Sequence, residues 1–395
     1  MGLAPVTLVD CTLREGEQTA GVSFDAAEKL VLVDALAAAG VSLLDAGMPA
    51  ISEDERRFLR AAVGRGSARI GASVRALPAE LRLAADCGCE ELFIICPTST
   101  LHRESRLGLD LPTWLVRVAD VVRLSRKLGR TANVVCEDAS RSLPDELHAV
   151  IDVALQGGAE RIILCDTVGA WTPRATAALF AECRERHPGA TLGVHCHNDF
   201  GLATANTLAA IEAGCQVPTA TINGLGERAG NASLVEVAAG LRTLLGLDTG
   251  FDVTASVALS RLVESISGFF VPQQAPLVGF NAFRHESGIH VDGLLKDARN
   301  YERLAPGAVG RQHHFAAGKH TGRAWLRRFA EERGLPTDDD TLALVLERLK
   351  DMPRGPTRDA TRALRGAIDA FNERHLGADP ALIEVWFRQA TERGR

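Results

Sequence analysis

Eight short apolar runs, each followed by a stretch of helical character, constrain this chain more than any other feature. The runs span residues 6–10, 41–47, 69–75, 91–97, 131–138, 160–167, 191–198 and 219–226. Each is short and rich in β-branched or aliphatic residues, as a buried strand is. Between them, 25–39, 114–129, 173–187 and 203–214 carry apolar residues at helical spacing, and Gly40, Gly129 and Gly214 stand where such helices would stop. Eight strands alternating with helices over about 245 residues have the length and rhythm of a (β/α)8 TIM barrel; a doubly wound open sheet is the competing architecture. After about residue 250 the rhythm changes. Pro272 to Pro276 reads as a linker, 281–323 is rich in His and Gly, and the charged tail reads as helical, one helix starting near Asp338–Asp340 and Thr341. The expected division is a catalytic barrel over 1–255, a linker and lid over 256–323, and a small helical subdomain over 324–395.

Composition narrows the function. A hydrophobic fraction of 46% and a charged fraction of 24% are those of a soluble globular protein. A net charge of −6 argues against nucleic acid as a partner. No apolar run approaches membrane-spanning length, and the N-terminus lacks a basic head before an apolar stretch, so a cytoplasmic enzyme is expected. All nine cysteines lie at or before Cys215, several inside strand-like runs, and are expected to be free thiols in a reducing compartment.

His195 and His197 sit at i and i+2 on the seventh run and so share a face, which suits two imidazoles on one divalent ion. Glu15, beyond the first run, is the best third ligand. Two histidines and a carboxylate leave coordination positions open for a substrate. An isolated His-x-His is more often surface or core than ligand; its company decides. Arg14 and Glu15 follow the first run, Arg75 ends the third, Glu137 and Asp138 the fifth, Asp166 and Thr167 the sixth, and Asn223, Glu227 and Asn231 follow the eighth. Strand C-termini are where active sites of this fold collect. Taken singly, Glu137-Asp138 could be a solvated pair, and Arg14 with Glu15 a structural ion pair. Gly224-Leu-Gly226 superficially resembles a dinucleotide fingerprint, but its spacing is wrong and it does not open a first βαβ unit. It suits a turn that brings Asn231 to the ion. His285 and His290 are compatible with a lid carrying an acid–base group. His102, His148, His187 and His375 are read as surface residues.

The motifs Thr12-Leu-Arg-Glu-Gly-Glu-Gln18, Cys165-Asp-Thr-Val-Gly169, His195-Cys-His-Asn-Asp199, Asn223-Gly-Leu-Gly-Glu-Arg-Ala-Gly-Asn231 and His285-Glu-Ser-Gly-Ile-His290 resemble those of one family. It comprises the metal-dependent Claisen-condensing enzymes: 2-isopropylmalate, homocitrate and citramalate synthases. Within it, Gly21-Val-Ser-Phe24 and His290-Val-Asp-Gly-Leu-Leu-Lys296 are most similar to homocitrate synthases of the nitrogenase-cofactor type. The resemblance implies that Glu15, His195 and His197 hold a divalent ion (Mg, Mn, Co or Zn) with Asn231 near or in its sphere. It implies that Arg14 polarises the ketone oxygen, that Thr167 contacts the oxo-acid carboxylate, and that Glu137 and His290 serve acid–base steps. It further implies acetyl-CoA as co-substrate and a homodimer in which the His290 segment reaches the neighbouring subunit's barrel mouth.

Three departures bear on the substrate. The carboxylate after the motif arginine is often Asp in the family and is Glu15 here, as in lysine-pathway homocitrate synthases. Those enzymes carry Arg and Ser where this chain has Asn133 and Val135, and Glu where it has Gly193. Arg75 could supply the missing carboxylate partner. The leading expectation is homocitrate synthesis from 2-oxoglutarate; the same condensation on 2-oxoisovalerate, pyruvate or phosphonopyruvate is the alternative. From other classes, a metal-dependent acyl-CoA lyase lacks its catalytic-cysteine motif here, and a non-haem iron oxygenase could use the same ligand triad.

Overall fold

A computed structural model describes residues 4–352, 355–374 and 380–393; His375 lies outside them. Strands β1 (Val9–Asp10), β2 (Leu43–Asp45), β3 (Arg69–Arg75), β4 (Glu91–Pro97), β5 (Thr131–Glu137), β6 (Arg161–Asp166), β7 (Thr191–Cys196) and β8 (Val217–Ala220) are all parallel. They pair in sequence order, and β8 closes on β1 to complete the barrel. The last strand lies earlier than the run at 219–226 predicts. Pro218 lacks a ladder donor and disguises the start, while buried Ile222 and Leu225 extend the apolar run into a 3-10 turn and the loop after it.

Helices α1 (Ala26–Ala38), α2 (Glu53–Ala62), α3 (Pro78–Asp86), α4 (Thr100–Leu107), α5 (Leu111–Lys127), α6 (Pro144–Gly157), α7 (Pro173–Arg186), α8 (Ala203–Glu212), α9 (Leu234–Leu244) and α10 (Ser256–Ser267) surround it. Local chemistry explains their limits. Asp25 caps α1 in a reciprocal box with Glu28, at 2.8 Å in each direction. The buried residues of α1, Lys29, Leu32, Val33, Leu36 and Ala37, follow a one-face helical spacing. Past its end Gly40 takes φ +87°, a conformation that only glycine adopts without strain.

Inside the barrel the side chains form layers. Val9, Leu43, Phe93, Ile163 and Val217 fill the middle, with Cys11 and Cys165 packed against them. Two strand glycines make room. A Cβ at Gly71 would lie 2.5 Å from the Phe93 ring, and one at Gly193 would lie 2.9 Å from Ile163 and 2.8 Å from the Val217 carbonyl. Below this layer, buried Glu91 accepts from Arg161 at 2.6 Å and from Asn133 at 2.8 Å, and pairs with Arg69. The interior is a packed plug, and space for a ligand opens at the C-terminal mouth.

The chain divides into two compact units. The barrel unit takes the described residues up to Thr19, then Ser23–Gly279 and Gly307–Gly310, so α10 belongs to it. The other takes Ala20–Val22, Phe280–Pro306 and the described residues from Arg311 onward. In the second unit β9 (Arg284–His285) pairs in parallel with β10 (His314–Phe315). Helices α11 (Gly288–Lys296), α12 (Arg323–Glu331), α13 (Asp339–Lys350), α14 (Gly355–Arg374) and α15 (Pro380–Arg393) complete it. Asp338 caps α13 through the Thr341 N–H at 2.9 Å, where the sequence places a helix start. Among the described residues no helix is long and apolar enough to cross a membrane.

All nine cysteines are buried and none is paired. Two histidines read as surface residues are core: His148 and His187 are buried, with Nδ1 of the first 2.9 Å from Nε2 of the second. The rings bond each other, while His148 Nε2 lies 3.0 Å from Glu182 and His187 Nδ1 3.4 Å from Asp152, so the buried nitrogens have partners. His102 is also largely covered, near Glu137 and Asp138.

Candidate metal centre and substrate pocket

Glu15, His195 and His197 meet at the barrel mouth. Each offers a ligand atom within 4.8 Å of the others, and all three side chains are buried. His195 is the last inward residue of β7. Register sets it beside Thr219, whose Oγ1 lies 2.7 Å from His195 Nδ1. With Nδ1–H turned to Thr219, the Nε2 lone pair is left for a metal. His197 follows β7 and is held by a bridge to Asn231; its Nε2 lies 3.6 Å from Glu15 Oε1. Glu15 stands in the short turn after β1, one residue beyond Arg14.

The charges suit a cation. Burial, reinforced by its neighbour His197, pushes His195 down to about 3, so it is neutral. Burial also lowers His197. Burial alone would raise Glu15, but the Arg14 guanidinium beside it holds it below the usual carboxylate range. The resulting set is two neutral imidazoles and one carboxylate. His197 Nδ1 and Asn231 Oδ1 are buried without a hydrogen-bond partner. Asn231 donates through Nδ2 to the Leu225 carbonyl at 2.9 Å, so its oxygen remains as a lone-pair donor. A buried, unpaired acceptor is costly unless something occupies it. The site fits a divalent ion held by Glu15, His195 and His197, with Asn231 beside it.

The glycine turn behaves as its composition suggests. Gly224 and Gly230 take φ +66° and +85°, and a Cβ at Gly230 would fall 1.9 Å from the Gly224 carbonyl. Only this close crossing returns the chain to place Asn231 opposite His197. Asn223 instead turns to α10, bonding the Ser260 carbonyl at 2.9 Å.

Beside the triad lies a cavity of about 240 Å³. Its lining includes the polar Arg14, Gln18, Glu137, Thr167, Glu227 and Arg228 and the apolar Met48, Ile95, Val135 and Cys165. Arg14 bonds Asp45 through Nε at 2.7 Å and pairs with Glu15 through NH1. Burial works against its charge, but Asp45 and Glu15 outweigh that and hold it protonated. Thr167 accepts the Asp138 N–H at 2.8 Å, which leaves its own O–H available. Glu137 is gripped by both terminal nitrogens of Arg106, at 2.8 and 2.7 Å. Asp166 is spent on the loop that follows it, accepting from Ala170 and Trp171.

Two expected residues stand elsewhere. Arg75 is mostly exposed and pairs with Glu80 of α3 rather than lining the cavity. Glu80 lies five residues on, so the helix N-terminus takes the side chain first. His290 belongs to the second unit, where it is exposed and stacks on Tyr301 with ring centroids 4.3 Å apart. Sequence reasoning passed over Asp45, Thr219, Met48, Arg228 and Tyr301. Strand register could have paired Thr219 with His195, Asp45 stands near the end of the second apolar run, and Arg228 lies inside the Asn223–Asn231 motif; nothing local marks Met48 or Tyr301.

Residues 5–263 match the HMGL-like family model, and residues 277–355 match the homocitrate synthase post-HMGL domain-like model. Homocitrate synthase AksA of Methanopyrus kandleri is 41% identical over 87% of this chain and 87% of its own length. (R)-citramalate synthase CimA of Methanocaldococcus jannaschii is 38% identical over 88% of this chain and 70% of its own. Among solved structures, the hydroxymethylglutaryl-CoA lyase of Pseudomonas aeruginosa shares the fold, with a TM-score of 0.60, 24% identity, and coverage of 69% of this chain and 96% of that one. The chain belongs to the homocitrate and 2-isopropylmalate synthase family, acyltransferases that condense acetyl-CoA with a 2-oxo acid.

Proposed function

We propose that this enzyme condenses acetyl-CoA with a short 2-oxo acid bearing an apolar side chain, such as pyruvate or 2-oxoisovalerate, and hydrolyses the thioester. The observation that carries the reading is the composition of the cavity lining. The ligand triad, Arg14 and Thr167 suit the oxo-acid head, while Met48, Ile95, Val135 and Cys165 offer its tail no charge. A distal carboxylate against those side chains would lose water without gaining a partner. Asn133, at the position where lysine-pathway enzymes carry Arg, is tied into the polar layer beneath the core.

Glu15, His195 and His197, with Asn231, would hold a divalent ion, which would supply Lewis acidity toward a ketone when bound. Arg14, fixed by Asp45, stabilises negative charge developing on that oxygen. The Thr167 hydroxyl donates to the oxo-acid carboxylate. Glu137 and His290 handle the protons: removal from the acetyl methyl, delivery to the new alkoxide, and activation of the water that cleaves the thioester. The exposure of His290 supports its delivery from a second copy, making a homodimer with shared sites in which the part of 256–323 that belongs to the second unit serves as a lid. A second cavity of about 190 Å³, which shares Arg228 and is walled by Gly226, Phe269 and Phe270, supports an approach for the acyl-carrier arm. Nine buried, unpaired cysteines support a cytoplasmic location.

A screen of free-thiol release across 2-oxo acids tests the reading. Pyruvate or 2-oxoisovalerate should give the highest kcat/KM; preference for a dicarboxylic or phosphonate acid would overturn it. Homocitrate synthesis from 2-oxoglutarate is the second reading, favoured by Arg228 at the cavity rim. Against it, that guanidinium already grips Asp199 through two bonds of 2.7 and 2.9 Å.

A further inference from the structure

A buried ammonium stands between the first two loops of the barrel mouth. Lys29, on α1, is 3% exposed. Its Nζ lies 2.6 Å from Glu17 Oε2 and 2.6 Å from Glu55 Oε2. Glu17 belongs to the turn that carries Glu15 and Gln18, and its other oxygen accepts the Phe24 N–H at 3.0 Å. Glu55, on α2, accepts the Met48 N–H at 3.2 Å through Oε1. Its carboxylate fills the space a side chain at position 47 would need: a Cβ on Gly47 would fall 1.9 Å from Oε1. A continuous line of charge-assisted bonds therefore joins the turn after β1 to the backbone of Met48. Both ends face the reaction chamber, since Gln18 and Met48 line the cavity, 3.8 Å apart from Nε2 to Sδ.

Lys29 and Glu55 are buried and Glu17 is only partly covered, and charges set this deep are an expensive way to stabilise a fold, because apolar residues of similar volume usually do it as well or better. Fixed geometry is what such a cluster supplies in return. We propose that the Glu17–Lys29–Glu55 bridge is a positioning device that holds the Met48 wall at a set distance from the metal-ligand turn, and so sets the size of 2-oxo-acid side chain the cavity admits. The inference rests on reading this cavity as a 2-oxo-acid pocket.

Two substitutions in the full chain test it. Glu17→Gln keeps an acceptor for the Phe24 N–H and removes one charge. Lys29→Met keeps an apolar stem near the Phe58 ring, whose centroid is 5.1 Å from Nζ, and removes the ammonium. Thiol release is measured with Mg²⁺ for pyruvate, 2-oxobutyrate, 2-oxoisovalerate and 4-methyl-2-oxopentanoate. Each variant is expected to raise KM for the preferred acid about tenfold while kcat changes little, and to narrow the kcat/KM ratio between best and next acid by about fivefold. An unchanged KM and an unchanged ranking, with only a lower Tm, would show the bridge to be structural and overturn the proposal. If Lys29→Met does not fold, Glu17→Gln decides by the same readouts. A wild-type enzyme that releases no thiol with any of these acids defeats the reading of the pocket instead.

Discussion

Thr219 Oγ1 lies 2.7 Å from His195 Nδ1, and the register of β7 against β8 puts it there. The hydroxyl fixes which imidazole nitrogen faces the cavity. Thr219→Val keeps the shape and deletes the oxygen. Metal affinity should fall by about 10- to 100-fold, as it does when an outer partner of a ligating histidine is lost. Titrating Mn²⁺ into the apoprotein by calorimetry reads this directly, and unchanged affinity would remove Thr219 from the site.

Stripping the enzyme with a chelator should abolish release of CoA thiol, and Mg²⁺, Mn²⁺ or Co²⁺ should restore it. Oxygen consumption with ferrous ion, in place of thiol release, would instead point to oxygenase chemistry at the same triad.

His290→Ala should lower kcat far more than it weakens oxo-acid binding. Glu15→Ala should be inactive for a different reason, loss of the ion. If sites are shared across a dimer, co-expressing the two inactive variants restores one intact site in each mixed dimer, or about a quarter of wild-type activity under random pairing. No recovery, in a mixture shown to contain mixed dimers, would place His290 at its own subunit's barrel or outside the chemistry.

Asp10 gives a pH signature. Burial lifts it to about 7, against the hydrogen bonds it accepts from Thr12. Unfolded, the carboxyl titrates near about 4, so between these values the native state holds a proton that the unfolded chain has lost. Its contribution to stability is therefore complete below about pH 4 and is lost as pH rises through about 7. Asp10→Asn should flatten that part of the Tm–pH curve; a parallel curve would mean that Asp10 ionises normally.

Gly193→Ala should destabilise the barrel by about 1–3 kcal/mol, because the added methyl meets Ile163 and the Val217 carbonyl in a filled interior. Urea unfolding measures this. A neutral result would show that the middle layer yields more than its packing suggests.

Much of this was legible in the chain because strand and helix periodicity are local. The runs for β3 and β4 match the observed strands residue for residue, and Gly40, Gly129 and Gly214 all take positive φ just past helix ends. The eighth strand was misplaced because a proline hid its start and apolar turn residues extended its end. Glu15, His195 and His197 were legible because side-chain alternation and the polarity of the barrel say where they point. Arg75 was not: nothing local to a strand-terminal arginine tells whether it turns inward or to a helix N-terminus. His148 and His187 were misread for a related reason, since each becomes tolerable in the core only through a partner far away in sequence.

The polar layer of Glu91, Asn133, Arg161 and Arg69 sits at the opposite end of the strands from the triad, with the Phe93 plug between them. Rigidity and reactivity are thus stored on separate floors of one building. Exchanges at Ile95 or Met48 can alter what the mouth accepts while the foundation keeps its free energy, because well-separated sites contribute nearly independently. A lineage carrying this barrel is free to explore new substrates without first risking collapse.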